Sequence, residues 1–71
     1  MSTIGINKLK KYQIEKGLSQ QGLSQLVGIS QGAISHYYTG RRKTIDPHIA
    51  AKIADVTKIG FEEFYKYEKR G

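Results

Sequence analysis

Residues 20–39 read QQGLSQLVGISQGAISHYYT and predict two short helices joined by a tight turn. Ser19 stands just before the first helix, where its hydroxyl can accept hydrogen bonds from free N–H groups of the first turn. Leu23 and Val27 lie four residues apart, so they share one face of that helix. Gly28 stands where the helix must end, because glycine adopts a left-handed backbone conformation without strain.

The second helix, at about residues 31–38, has an apolar back and an uncharged polar front. Ser30 can cap it, and Ile34 and Tyr37 are three residues apart on one side. With a rotation of about 100° per residue, the opposite side carries Gly32, Ser35, His36 and Thr39.

Charged side chains are absent from residues 17–40, whereas basic residues crowd both flanks. They are Lys8, Lys10, Lys11 and Lys16 on one side and Arg41, Arg42 and Lys43 on the other. Cations suit phosphates, and uncharged Gln, Ser and His side chains suit base edges. This division predicts a helix-turn-helix that reads double-stranded DNA.

The composition narrows the class of protein. The 71 residues predict one domain, 1–71, with a formal charge of +6. All of that excess lies in residues 1–45, which hold seven basic side chains and one acidic side chain, against five of each in residues 46–71. Net charge alone would also suit RNA or an anionic membrane, but its position favours a nucleic-acid face. Without cysteine, a signal peptide or a membrane-spanning run, we expect a cytoplasmic protein.

The remaining chain predicts three more helices. The first covers about residues 6–16, with an inner stripe of Ile6, Leu9 and Tyr12. The fourth helix begins with Asp46 as its cap and Pro47 as its first residue, and it ends at Gly60. Its buried stripe is Ile49, Ile53 and Val56. A fifth helix covers residues 61–67. The fold class is therefore all-α, a compact five-helix domain.

The motif resembles the helix-turn-helix of the lambdoid phage repressor and Cro family. The resemblance rests on apolar, small and turn positions at Leu23, Ser24, Val27, Gly28, Ile29, Ile34 and Tyr37, and on the later run Phe61-Glu62-Glu63-Phe64, which looks like the family's last helix. It implies a lambda-repressor-like fold and a sequence-specific transcriptional regulator that binds as a dimer to a near-palindromic operator. Since the family's larger repressors carry a further regulatory domain, the short length favours a Cro-type repressor.

The residues and the resemblance together predict the sites. Base contacts are expected from Gln31, Gly32, Ser35 and His36, because the Gln31 amide can bond adenine N6 and N7 together. Phosphate contacts are expected from Gln20, Thr39, Lys11, Arg41, Arg42 and Lys43. By resemblance, the dimer interface lies around residues 61–67, with Phe61, Phe64 and Tyr65. We expect no cofactor, metal or small-molecule substrate.

Other interpretations stay open. His36 and Lys11 can be ordinary solvated side chains, and Tyr38 can contact a phosphate or cover the core. A protein-interaction module, antitoxin-like or adaptor-like, is the rival function, because Ile14 and Leu26 fall off the apolar stripes. The sequence does not favour an enzyme, because it shows no nucleophile elbow, phosphate-binding loop or metal-binding helix motif. The sequence does not favour a membrane-surface role either, because it shows no helix with one basic and one bulky apolar face.

Overall fold

The computed structural model describes residues 3–41 and 44–67. Within these ranges, four α-helices follow one another: α1 is Ile4–Glu15, α2 is Gln20–Val27, α3 is Gln31–Thr39 and α4 is Pro47–Thr57. A 3-10 helix, Phe61–Tyr65, follows α4. An isolated antiparallel bridge pairs Thr3 with Tyr67 and so joins the two ends of the described chain. The described residues therefore form a small, almost entirely helical fold.

The predicted helix caps are confirmed. The Ser19 hydroxyl accepts a hydrogen bond from the Gly22 N–H at 2.9 Å, and the Ser30 hydroxyl accepts one from Ala33 at 3.1 Å. Asp46 caps α4 in the same way, accepting from the His48 N–H at 2.8 Å. These bonds satisfy N–H groups that the first turn of a helix leaves without a partner.

The turn between α2 and α3 is built as glycine allows. Gly28 has a φ of +86°, in the left-handed region. The N–H groups of Gly28 and Ile29 both donate to the Ser24 carbonyl, at 2.8 and 3.0 Å. These two bonds close the end of α2 on one carbonyl, and the chain enters α3 after only a few residues.

Two helix ends differ from the prediction. Helix α1 begins at Ile4, two residues earlier than expected, because the Thr3 hydroxyl accepts from the Ile6 N–H at 3.2 Å. Helix α4 ends before Gly60. Lys58 takes the left-handed conformation, with a φ of +64°, and its N–H donates to the Ala54 carbonyl at 2.9 Å.

The fifth helix predicted over residues 61–67 is shorter than expected, and it is a 3-10 helix. Only the five residues of the 3-10 helix are helical, and Lys66 is already extended, with φ −104° and ψ 134°. Its carbonyl accepts from the Ile4 N–H at 2.7 Å, and the next residue forms the bridge to Thr3. Pairing with the start of α1 thus competes with, and replaces, further helical turns.

The buried core draws on every helix. Its members are Ile6, Leu9, Leu23, Val27, Ile34, Tyr37, Ile45, Ala50, Ile53 and Phe64. The inner stripes of α2 and α3 are buried as predicted. In α4, Ala50 and Ile53 are buried, whereas Ile49 and Val56 only pack against the edge of the core. Ile45, in the loop before α4, is buried although no stripe predicted it.

Phe64 is a core residue and not part of an exposed interface. Its side chain is 1% exposed. It lies directly against Gly5 of α1: a Cβ atom at Gly5 would stand 2.6 Å from Phe64 Cδ1 and 2.8 Å from the Phe64 backbone nitrogen. The placement of Phe64 in the dimer interface is therefore corrected, because a side chain sealed against α1 has almost no surface to offer a second copy.

Tyr37 carries an unpaired buried hydroxyl, and we predict that Tyr37→Phe stabilises the fold. The residue is 4% exposed, and its hydroxyl has no hydrogen-bond partner among the described residues. Burying an unpaired hydroxyl costs about 1–3 kcal/mol. Since Phe keeps the ring, the free energy of unfolding should rise by about 1 kcal/mol, measured by urea denaturation.

Tyr38→Phe is the matched control for this substitution. The Tyr38 hydroxyl donates to Gln13 Oε1 at 2.8 Å, so its removal should lower the free energy of unfolding by about 0.5–1.5 kcal/mol. A loss of stability in both variants would contradict the assignment of the Tyr37 hydroxyl as unpaired.

Candidate nucleic-acid interface

One side of α3 is fixed in the core and the other side faces outward. Ile34 is 0% exposed and Tyr37 is 4% exposed, so both anchor the helix from behind. The front carries the four predicted base contacts and one predicted phosphate contact. They are Gln31, Gly32, Ser35, His36 and Thr39, whose spacing repeats with the helical turn. The structure therefore brings these five residues to one helical face.

Exposure varies along the front, and both its first residue, Gln31, and its last, Thr39, are exposed. Gln31 and Gly32, in the first turn, are exposed, and Ser35 and His36, in the second, are partly buried. The first turn of a helix also carries a partial positive charge from its free N–H groups. Gln31 and Gly32 are thus exposed at the end of α3 that best tolerates a neighbouring phosphate backbone.

Gly32 has open space in front of it. No atom lies within 4 Å of the position that a Cβ would take, and its backbone conformation is an ordinary helical one. Neither packing nor backbone conformation within the described chain calls for glycine here, and glycine in a helix costs roughly 0.5–1 kcal/mol relative to alanine. Gly32 leaves a shallow place on the front of α3 that a base-pair edge could approach closely.

The predicted phosphate contacts lie on different elements and differ in exposure. Gln20 is the first residue of α2 and is partly buried, and Arg41 is exposed directly after α3. The Thr39 hydroxyl donates to the His36 carbonyl at 3.3 Å, so its oxygen stays able to accept. Lys11 is exposed on α1. Arg42 and Lys43 lie outside the described residues.

The basic residues of α1 are not equivalent. Lys8 Nζ lies 3.4 Å from Glu63 Oε1, and the Lys16 ammonium stands 5.8 Å from the centre of the Tyr12 ring. Lys10 reaches α3 instead, where its ammonium lies 3.4 Å from the Tyr38 carbonyl oxygen. Lysines that look equivalent in sequence therefore have different contacts in the fold, and Lys10 is the one that reaches α3.

The sequence interpretation missed Lys10 and Gln13 as partners of α3. A signal was present: Lys10 is four residues after Ile6, and Gln13 is three residues after Lys10, which places both at the edge of the buried stripe of α1. The Tyr38 hydroxyl, left open between a phosphate and the core, is bonded to Gln13. Burial raises the pKa of that hydroxyl to about 12, so it stays a protonated donor at neutral pH.

Within residues 3–41 and 44–67, the structure offers no group of three or more His, Cys, Asp or Glu side chains suited to holding a metal ion. In the same part of the chain, every helix is too short or too polar to cross a bilayer.

Comparison with known proteins identifies the family of the chain. A family model described as Helix-turn-helix matches residues 9–64, which include α2, the turn and α3. No curated protein and no solved structure matches the chain. The matched family consists of DNA-binding regulatory domains, which typically have no enzymatic activity. The chain belongs to the XRE type of this helix-turn-helix family and is a DNA-binding transcription regulator.

Proposed function

We propose that this protein is a phage Cro-type repressor that binds a near-palindromic operator as a homodimer, in the cytoplasm of a bacterial cell or an infected host. The observation that carries the proposal is the uncharged outer face of α3, which Ile34 and Tyr37 hold from behind. Arg41 is exposed directly after this helix, and Lys11 is exposed on α1. A face of this kind suits hydrogen bonding to base edges in the major groove, with cations beside it for the phosphates.

The base contacts come from Gln31, Gly32, Ser35 and His36. Gln31 bonds an adenine through its amide, while Gly32 lets the helix approach a base pair or a thymine methyl group. Ser35 and His36 hydrogen-bond further along the groove. The phosphate contacts that fix this register are Gln20, Thr39, Lys11, Arg41, Arg42 and Lys43.

The dimer interface uses Phe61 and Tyr65 of the 3-10 helix. They are 42% and 40% exposed, and their ring centres are 5.4 Å apart. Paired aromatic side chains at a surface are typical anchors of protein interfaces. The Tyr65 hydroxyl donates to the Ile45 carbonyl at 3.1 Å, which orients its ring. Two-fold pairing through this patch would give two copies of α3 for two half-sites.

Selection of binding sites from random duplex DNA, at near-physiological salt, tests the proposal. We expect enrichment of a two-fold symmetric motif whose half-sites are centred about 34 Å, one helical turn, apart. Enrichment of a single half-site would contradict binding as a dimer. Salt-sensitive binding with no enriched motif would contradict sequence-specific operator binding, since binding to phosphates alone carries no sequence preference.

A protein-interaction module remains the second candidate, because two apolar side chains are exposed. Ile14 is 78% exposed and Leu26 is 49% exposed. In this alternative, the domain mainly grips a partner protein. A stable complex that survives nuclease treatment, and that is lost in Ile14→Ser or Leu26→Ser, would favour it over the operator reader.

A further inference from the structure

Tyr38 joins the end of α3 to α1 through three separate contacts. Its hydroxyl donates to Gln13 Oε1 at 2.8 Å. Its carbonyl oxygen lies 3.4 Å from Lys10 Nζ, and the same ammonium stands 5.2 Å from the centre of its ring. Lys10 and Gln13 are three residues apart on α1, so one helical face of α1 holds both the side chain and the backbone of Tyr38.

Lys10 supplies what the end of α3 lacks. The last carbonyls of a helix have no partner in the helix and carry a partial negative charge, which a cation stabilises. The His36 carbonyl accepts from the Arg41 N–H at 3.0 Å, and the Tyr37 carbonyl from the Gly40 N–H at 3.4 Å. The Tyr38 carbonyl takes its bond from the side chain of Lys10.

The position of this contact matters for reading DNA. Ile34 and Tyr37 hold α3 from behind, but a helix fixed along one line can still tilt or fray at its end. His36 and Thr39, on the proposed reading face, flank Tyr38 within the last turn. A tether at Tyr38 therefore restrains the half of the face that the first-turn cap at Ser30 does not control.

We propose that Lys10 and Gln13 are positioning residues that hold the recognition helix, through Tyr38, in the orientation needed for base contact. This rests on the proposed function, because it assumes that α3 reads bases. Lys10 is then a cation of the fold and not a phosphate contact, although the sequence places it in the same basic run as Lys11. Its loss should reduce operator binding much more than binding to unrelated DNA.

A matched pair of lysine variants tests this. Lys10→Met and Lys11→Met each remove one charge from α1 and keep most of the aliphatic stem. Operator and unrelated duplexes are titrated with each variant over a range of salt concentrations. Lys10→Met should weaken operator binding about threefold to tenfold while the salt slope stays at the wild-type value. Lys11→Met should weaken both duplexes and reduce the slope by about one.

Two further measurements separate positioning from other roles. Amide hydrogen exchange without DNA should speed up at Gly40 and Arg41 in Lys10→Met and stay unchanged in Lys11→Met. In a double-mutant cycle, Gln13→Ala should remove the effect of Tyr38→Phe on operator binding. If Tyr38 instead contacted a phosphate, its substitution would have the same effect with or without Gln13.

The outcomes are distinct. A salt slope that falls by about one in Lys10→Met would overturn the inference, as would equal losses on both duplexes. If wild-type protein selects no motif, the proposed function fails and the inference fails with it. If wild-type protein selects a motif and Lys10→Met binds it as tightly, the inference alone is overturned.

Discussion

Gly5→Ala should lower the free energy of unfolding by about 3 kcal/mol, at the upper end of the usual cost of overpacking a core. The added Cβ would stand 2.6 Å from Phe64 Cδ1, 2.7 Å from Cγ and 2.8 Å from the Phe64 backbone nitrogen. Because one of these atoms is backbone, rotating the phenyl ring cannot relieve the clash, and the 3-10 helix must move away from α1. The Lys8–Glu63 pair and the Ile4–Lys66 hydrogen bond span the same contact.

The loss is large relative to the whole stability. A chain of this length has a free energy of unfolding of roughly 4–10 kcal/mol, and each kcal/mol is about 4–8 °C in Tm. Thermal unfolding followed by circular dichroism should therefore show a Tm lower by more than about 10 °C.

Gly32→Ala is the control for this prediction. It makes the same chemical change in another α-helix, but nothing lies within 4 Å of the new Cβ. It should stabilise the fold by roughly 0.5–1 kcal/mol, because alanine is the better helix former. Equal stability in the two variants would show that the contact between Gly5 and Phe64 is looser than the structure places it.

Local chemistry made much of the fold predictable. Ser19, Ser30 and Asp46 cap helices through atoms two or three residues away, and Gly28 ends α2 through its own backbone freedom. Such interactions are decided within one helical turn, so a short stretch of sequence contains all of their partners. The outward face of α3 follows from helical periodicity for the same reason.

Long-range pairing explains what the sequence could not predict. The 3-10 helix ends early because Lys66 pairs with Ile4, at the other end of the chain. Phe64 is buried, and so lost to the dimer interface, because Gly5 leaves room for it. Lys10 differs from Lys11 because it contacts Tyr38, 28 residues away. Local spacing places Lys10 at the edge of the buried stripe of α1, but it does not identify the distant partner. In all three cases the partner depends on how the helices pack.

Gln31→Ala should weaken operator binding by about 1–3 kcal/mol, or roughly five- to 150-fold, and relax the preference at one base pair. Gln31 is the first residue of α3 and is exposed, so its amide is free to lie in the major groove. An amide bonds adenine through two hydrogen bonds at once, and alanine replaces neither. The cap on α3 comes from Ser30, so the fold should be unaffected.

Gln25→Ala is the matched control for Gln31→Ala. Gln25 is an exposed glutamine on α2, outside the proposed contact set. Both variants are compared by titrating the selected operator and the same operator with each base pair changed in turn. Gln31→Ala should lower the affinity less on one changed operator than on the others. On that operator the wild-type protein has already lost the Gln31 contact, because the base pair it reads has been replaced. An equal loss of affinity on every operator would indicate that Gln31 contacts a phosphate. If Gln31→Ala and Gln25→Ala bound every operator equally well, base reading would be assigned to Ser35 and His36.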